Sequence, residues 1–251
     1  MLPTPESLEG KPVPQVRFKT RNGGQWQELS TDDIFKGKTV VVFSLPGAYT
    51  PTCSSAHLPR YNELAPAQKQ HGVDEIVCIS VNDAFVMNEW KAGQEADNIT
   101  FLPDGNGDFA KAMGMLVDKR DLGFGERSWR YSMLVRDGVI EKMFIEPDKE
   151  GDPFEVSDAD TMFRYLAPGE EIPEPVVMFS KPGCPHCARA RDVLQRNQVE
   201  FRELEQDHKI NGSVLRGVSG HSTWPQVFIG GKLIGNADAV EAYYGARKAP
   251  A

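Results

Sequence analysis

The sequence is poor in the groups that build disulfide scaffolds or metal clusters, with four cysteines and five histidines in 251 residues. Cys53, Cys78, Cys184 and Cys187 are too few and too unevenly spaced for a small secreted cross-linked protein, and only the last two form a close pair. A structural zinc would want a second closely spaced ligand pair beside them. Cys53 and His57 stand at helical spacing but have no partner pair, so no metal is expected. Long apolar runs are missing as well. None approaches the roughly 20 residues that cross a bilayer, and the opening M-L-P-T-P-E-S-L-E-G has neither the basic start nor the apolar centre of a signal peptide. Blocks of one charge sign are also lacking. With 28 basic against 36 acidic residues the net charge is -8, which leaves no basic stripe for a nucleic acid. Membrane and nucleic acid are therefore excluded as partners, and a cytoplasmic location is expected.

Chemistry is concentrated where an apolar β-branched run, Thr39-Val40-Val41-Val42-Phe43, enters Pro46-Gly47-Ala48-Tyr49-Thr50-Pro51-Thr52-Cys53. A helix is predicted from about Cys53 to Gln70, so Cys53 stands in the first turn after a strand-to-helix loop. Amides without intrahelical partners point at the sulfur there, and the helix dipole adds about half a positive charge, both of which favour the thiolate. Thr50 can hydrogen-bond the sulfur or an oxygen beside it, while Pro46 and Pro51 stiffen the loop. Pro59 removes one helical hydrogen bond and is predicted to bend this helix.

The rest of the first half alternates strand and helix signals. A hairpin turns at Asn22-Gly23-Gly24, and a short helix follows, capped by Ser30 or Thr31. Asp74 to Val81 is a buried-strand pattern that places Cys78 in the core. Asn82-Asp83 caps a helix to Gly93, Thr100 to Leu102 is a strand, and Asp108 to Met115 a short helix. Tyr131 to Val135 and Val139 to Ile145 form a second hairpin, and a helix at 157 to 166 closes this half.

Residues 167–175, A-P-G-E-E-I-P-E-P, hold three prolines and three glutamates without apolar period, which predicts a solvated linker. Beyond it a strand at Val176 to Phe179 leads through Ser180-Lys181-Pro182-Gly183 to Cys184-Pro185-His186-Cys187 at the head of a helix. Cys184 is exposed at that helix start and Cys187 lies one turn inside. A strand at 200 to 204, an irregular helical segment near 207 to 218, strands at Gln226 to Ile229 and Lys232 to Ile234 about Gly230-Gly231, and a helix from Ala237 complete a thioredoxin-type order.

The octet P-G-A-Y-T-P-T-C, with S-S-A-H-L-P after it, resembles the active-site motif of the peroxiredoxins. The second half resembles the glutaredoxins throughout, in C-P-H-C at 184 to 187, Lys181, T-W-P-Q-V-F-I at 223 to 229, Gly230-Gly231 and G-N-A-D at 235 to 238. The chain as a whole resembles bacterial hybrid peroxiredoxin/glutaredoxin fusions, which are glutathione-dependent thiol peroxidases. The fold this implies is α/β with two thioredoxin-like domains, a larger peroxiredoxin domain at 1–166 and a glutaredoxin domain at 176–251.

The resemblance further implies that Cys53 reduces hydrogen peroxide and organic hydroperoxides. It implies that Arg130, in R-Y-S-M, faces that cysteine, with Arg127 the competitor at similar spacing, and that Cys184 and Cys187 recycle Cys53. Glutathione is then a co-substrate and not a bound cofactor. Lys181 takes one of its carboxylates, Thr223 and Trp224 beside a cis-Pro225 pair with its backbone, and Gly235, Asn236, Ala237 and Asp238 take its γ-glutamyl end. Trp224 and Asn236 depart from the family's usual valine and glycine. A homo-oligomer, dimer or tetramer, is implied too. Two other readings stay open: a general glutathione-disulfide oxidoreductase or deglutathionylase with the first half as one client, and a redox-regulated chaperone-like oligomer.

Overall fold

A computed structural model describes residues 5–247, and its backbone divides between Ile172 and Pro173 into two units. In the first, β1 (Arg17–Asn22) and β2 (Gln25–Ser30) form a hairpin whose turn, Gly23-Gly24, has positive φ at both glycines. Helix α1 (Thr31–Phe35) starts on a capping box between Ser30 and Asp33. Strand β3 (Thr39–Leu45) leads into the Pro46 loop, and α2 (Leu58–Gln70) and β4 (Glu75–Ser80) follow. Then come α3 (Ala84–Gly93), capped by Asp83, β5 (Thr100–Pro103), α4 (Asp108–Ala112), and a ribbon of β6 (Leu116–Asp118) with β7 (Glu126–Ser128). The unit ends in the hairpin β8 (Tyr131–Arg136) and β9 (Val139–Ile145) and helix α5 (Ala159–Leu166).

Its sheet has the order β5-β4-β3-β8-β9, with β3, β4 and β5 parallel and β8 and β9 antiparallel to their neighbours. Alternation along β3 divides the core. Val41, Phe43 and Leu45 pack with Trp90 and Phe163 on one face, and Val40 and Val42 pack with Phe18, Phe35 and Phe109 on the other.

The second unit contains β10 (Val176–Ser180), α6 (Pro185–Arg196), β11 (Arg202–Glu205), α7 (Gly212–Ser219), β12 (Gln226–Ile229), β13 (Lys232–Gly235) and α8 (Ala237–Arg247). Its order is β11-β10-β12-β13, with β10 and β11 parallel and the other pairings antiparallel. The four strands repeat the pattern of β4-β3-β8-β9. In both units a cysteine stands at the first turn of the helix that follows the first core strand, so the two units are variants of one thioredoxin-like plan.

Three details differ from expectation. Helical backbone begins at Pro51, and residues Cys53–His57 form a π-turn in which the Leu58 amide donates to the Cys53 carbonyl. Pro59, at the head of α2 and without an amide hydrogen, directly follows this widened turn, and helical backbone runs without a break from Pro51 to Gln70. Pro66 sits farther inside α2, where it frees the Asn62 carbonyl, and Asn98 Nδ2 donates to that oxygen at 3.3 Å.

The ribbon of β6 and β7 has no apolar alternation long enough to predict. The segment 167–175 is exposed at seven of its nine residues, as its composition implies, but it is also anchored to the first unit. Ala167 is buried, Ile172 packs against the first unit's core, and Glu170 pairs with His71 at 3.3 Å. Three residues on, the Pro175 carbonyl accepts from the Gly230 amide at 3.0 Å within the second unit.

Candidate functional site

Register brings Arg130 to Cys53. Strand β8 lies beside β3 with Ser44 opposite Tyr131, so Arg130, immediately before β8, reaches the end of β3 from which the Pro46 loop leaves. Cys53 has no exposed surface and Arg130 is 3% exposed. Arg130 Nη1 lies 3.4 Å from Cys53 Sγ and 3.1 Å from His57 Nδ1, while Nη2 donates to both Asp152 oxygens, at 2.6 and 2.5 Å. A buried guanidinium is tolerated because these acceptors meet both of its terminal nitrogens, although Nε is left without a partner. Burial opposes its charge, and the Asp152 carboxylate and Cys53 offset that and hold the proton on.

His57 is fully buried, and burial followed by the Arg130 charge lowers its pKa to about 3. The ring is therefore neutral at neutral pH. A guanidinium can only donate, so Nδ1 accepts from Arg130 and the ring proton sits on Nε2, which donates to the Ser157 carbonyl at 3.2 Å. Tyr61 Oη donates to the same carbonyl at 3.0 Å. The segment that supplies Ser157 is pinned by the buried Glu146. Its carboxylate accepts from the amides of Glu155, Val156 and Ser157, at 2.8, 2.9 and 2.8 Å, and from Ser157 Oγ at 2.7 Å.

The Pro46 loop has its own fixings. Thr50 Oγ1 donates to the Gly47 carbonyl at 2.9 Å, and the Ala48 amide donates to Asn82 Oδ1 at 3.0 Å. Thr50 thus closes a turn of the loop, and Pro46 is half-buried at its start. Arg127 Nη1 donates to the Val81 carbonyl at 2.6 Å and Nε to that of Phe124 at 2.9 Å, so Arg130 and not Arg127 is the arginine at the sulfur. Trp90 Nε1 donates to Ser54 Oγ at 3.0 Å, next to Cys53 in the chain. Cys78 lies between Phe43 and Phe101 in the sheet, and burial, with Cys53 nearby, pushes its thiol well above the ordinary range.

In the second unit a cavity of about 530 Å³ is lined by six predicted residues, Lys181, Thr223, Trp224, Asn236, Ala237 and Asp238, together with Cys184. Pro225, in a cis peptide after Trp224, and Gly235, at the end of β13, do not line it. Cys184 caps α6. Its sulfur accepts from the Cys187 amide at 3.3 Å and lies 3.9 Å from the Trp224 carbonyl. Cys187 is buried, and burial together with its bond to Cys184 pushes its thiol up to about 12. Asn236 accepts from the Ala239 amide at 3.1 Å and so caps α8 with a side-chain bond that a second glycine would lack.

His186 and Arg189 also line this cavity, and sequence reasoning passed over both. Arg189 forms an ion pair with Asp238. Their signal was the i, i+3 spacing on the helix that Cys184 caps. Asn82, Glu146 and Asp152 were missed as well, because none of them stands at a periodic spacing from what it holds, 34 residues away for Asn82, 22 for Asp152 and 9 to 11 for Glu146.

Known proteins match this division. The redoxin family matches residues 8–163 and the glutaredoxin family residues 176–234. The hybrid peroxiredoxin hyPrx5 of Haemophilus influenzae is 59% identical over 238 residues, covering 95% of this chain and 99% of that protein. A peroxiredoxin of Synechocystis is 56% identical over 66% of this chain and 96% of its own. Among solved structures, reduced Prx3 from Vibrio vulnificus in complex with hydrogen peroxide is similar with a TM-score of 0.61 and 40% identity, over 64% of this chain and 99% of that one.

Proposed function

Since the chain belongs to the redoxin family, in the hybrid form where a glutaredoxin domain follows the peroxiredoxin one, we propose that it reduces hydroperoxides through Cys53 and recovers Cys53 with glutathione through Cys184. The observation that carries this is the contact of Arg130 Nη1 with Cys53 Sγ at 3.4 Å, between two buried side chains.

The thiolate of Cys53 attacks one oxygen of the hydroperoxide. The S–O bond forms as the O–O bond breaks, the sulfur is oxidised by two electrons, and the departing oxygen takes a proton and leaves as water or an alcohol. Arg130 holds the charge moving onto that oxygen, and Thr50 and Pro46 shape the loop above it. Glutathione condenses with the sulfenic acid, releasing water and leaving a mixed disulfide. Cys184 attacks its glutathione sulfur, which frees Cys53. A second glutathione then releases glutathione disulfide and regenerates Cys184; where Cys187 attacks instead, glutathione leaves and the Cys184–Cys187 disulfide is reduced by two glutathiones. The sum is one hydroperoxide and two glutathiones giving an alcohol, water and glutathione disulfide.

Glutathione fits the cavity at Cys184 by charge. Lys181 and Arg189 suit its carboxylates, Asp238 its ammonium, and the backbone at Thr223 and Trp224 its extended peptide. Cys187, with its thiol held protonated, follows Cys184 in the sequence of attack. The first domain occupies 1–166 and the second 176–251, and the chain works as a dimer or tetramer. Exposed Trp26, Tyr49, Phe85 and Leu122, each more than half exposed, suit self-association. Four free cysteines suit a reducing cytoplasm.

Replacing Cys184 with serine tests the relay. Steady-state peroxide consumption with glutathione should fall sharply while the first oxidation of Cys53 keeps its native rate. An unchanged steady state would rule the relay out.

A further inference from the structure

With Cys53 taken as the peroxide-reducing sulfur, as proposed above, we infer that Asn82 is a positioning residue for that step. Its carboxamide oxygen holds the Gly47–Ala48 peptide in the plane that turns the lone pairs of the Thr50 hydroxyl, and not its proton, toward the incoming hydroperoxide. That peptide is gripped on both edges. Its amide edge, the Ala48 N–H, donates to Asn82 Oδ1 at 3.0 Å. Its carbonyl edge, the Gly47 oxygen, accepts from Thr50 Oγ1 at 2.9 Å and from the Thr50 amide at 3.4 Å. A hydroxyl has a single hydrogen, so the Thr50 proton is spent on Gly47 and Oγ1 keeps only acceptor capacity. The Thr50 carbonyl in turn accepts from the Ser54 amide at 3.0 Å, which ties Thr50 to the turn that begins at Cys53.

The grip on the amide edge comes from outside the loop. A backbone amide only donates, so the atom that faces Ala48 is the carboxamide oxygen, and the buried Ser80 Oγ donates to the same oxygen at 2.7 Å and fixes its direction. Both Asn82 and Asp83 suit a helix cap by residue type, but Asp83 alone caps α3, through the Phe85 and Val86 amides at 2.8 and 3.0 Å. The Asn82 side chain is left for the loop. Tyr49, between Ala48 and Thr50, has φ 64°, a left-handed conformation that a bulky side chain adopts only where its surroundings impose it. The held peptide on one side and the bonded Thr50 on the other impose it here. Preorganised groups of this kind act strongly only while their direction is kept.

A double-mutant cycle separates aiming the hydroxyl from merely supporting the fold. Full-length Asn82→Ala, Thr50→Val and the double variant are compared with the native chain by stopped-flow oxidation with hydrogen peroxide, without glutathione. Tryptophan fluorescence follows the reaction, Trp90 being bonded to Ser54 beside Cys53. Asn82→Ala should slow Cys53 oxidation about 10- to 30-fold while Thr50 is present, and less than about 3-fold once valine has removed the hydroxyl.

A native rate in Asn82→Ala, an equal slowing in both backgrounds, or rates that follow the melting temperatures of the four chains would overturn the inference. Should Asn82→Ala fail to fold, Ser80→Ala decides it by removing the second bond to the carboxamide oxygen. Oxidation should then slow about 3- to 5-fold only where Thr50 is present, and a native rate there would overturn the role. A native chain that leaves peroxide unconsumed would remove instead the assignment of Cys53 on which this rests.

Discussion

The two terminal nitrogens of Arg130 are divided among Cys53, His57 and Asp152, and this division makes two outcomes at single residues predictable. Replacing Arg130 with glutamine removes the charge from the leaving oxygen. Oxidation of Cys53 should then slow by about 10²- to 10³-fold, the loss typical of one transition-state donor, as measured by peroxide competition. His57 gives the pH dependence. Folded, its pKa is about 3; unfolded, it returns to 6.5, so between these values the unfolded chain holds the extra proton and stability falls as pH falls. From pH 6.5 to 5, where carboxylates are still ionised, the native chain should lose up to about 1.4 kcal/mol per pH unit more than His57→Asn in urea titrations.

Cys78 gives the contrasting case. Cys78→Ala should cost about 1–2 kcal/mol in stability by leaving a small void, while peroxide turnover persists. These residues also mark how far a sequence can be read. Cys53, Thr50, Pro46 and Cys184 lie in compact motifs whose spacing carries their surroundings. His57 could be seen only as a helical neighbour of Cys53, since its partners Arg130 and Ser157 lie 73 and 100 residues away.

Among elements, the segment from Glu146 to Asp158 has the least regular structure and the most specific attachment. Nothing periodic predicts it, because its order comes from one buried carboxylate and not from a backbone ladder. Glu146→Ala strands three amides and should cost about 3 kcal/mol or more, with the segment becoming the first site of cleavage in limited proteolysis. Strands were easier to read. The β-branched run of β3 and the Asn22-Gly23-Gly24 and Arg136-Asp137-Gly138 turns predict the elements they form, whereas the widened turn at Cys53 needs knowledge of what Pro59 cannot donate.

For the molecule as a whole, transfer between the two sulfurs is limited by reach. The linker of nine residues expected from composition spans at most about 30 Å, yet Ile172 and Pro175 are each tied to their own unit, and three residues span only about 10 Å. Cys53, with no exposed surface, must also be uncovered before anything as large as glutathione joins it. Exchange between chains is free of the limit that the joint sets. Mixing full-length Cys53→Ser with Cys184→Ser should restore glutathione-dependent peroxide turnover that neither variant supports alone, rising with protein concentration. Turnover that stays at the background of the separate variants would place the exchange within one chain. The domain order was legible because each half repeats a complete strand-and-helix series; the shortness of the joint was not, because proline and glutamate composition is silent about where Ile172 packs.

The π-turn at Cys53–His57 adds one residue to the helical winding. Deleting a residue there, such as Ser55, would let ordinary winding resume, with Cys53 and Leu58 still about one turn apart. The thiol would keep its bearing, so the widened turn is a place where an alignment gap of one position can fall without shifting what lies on either side.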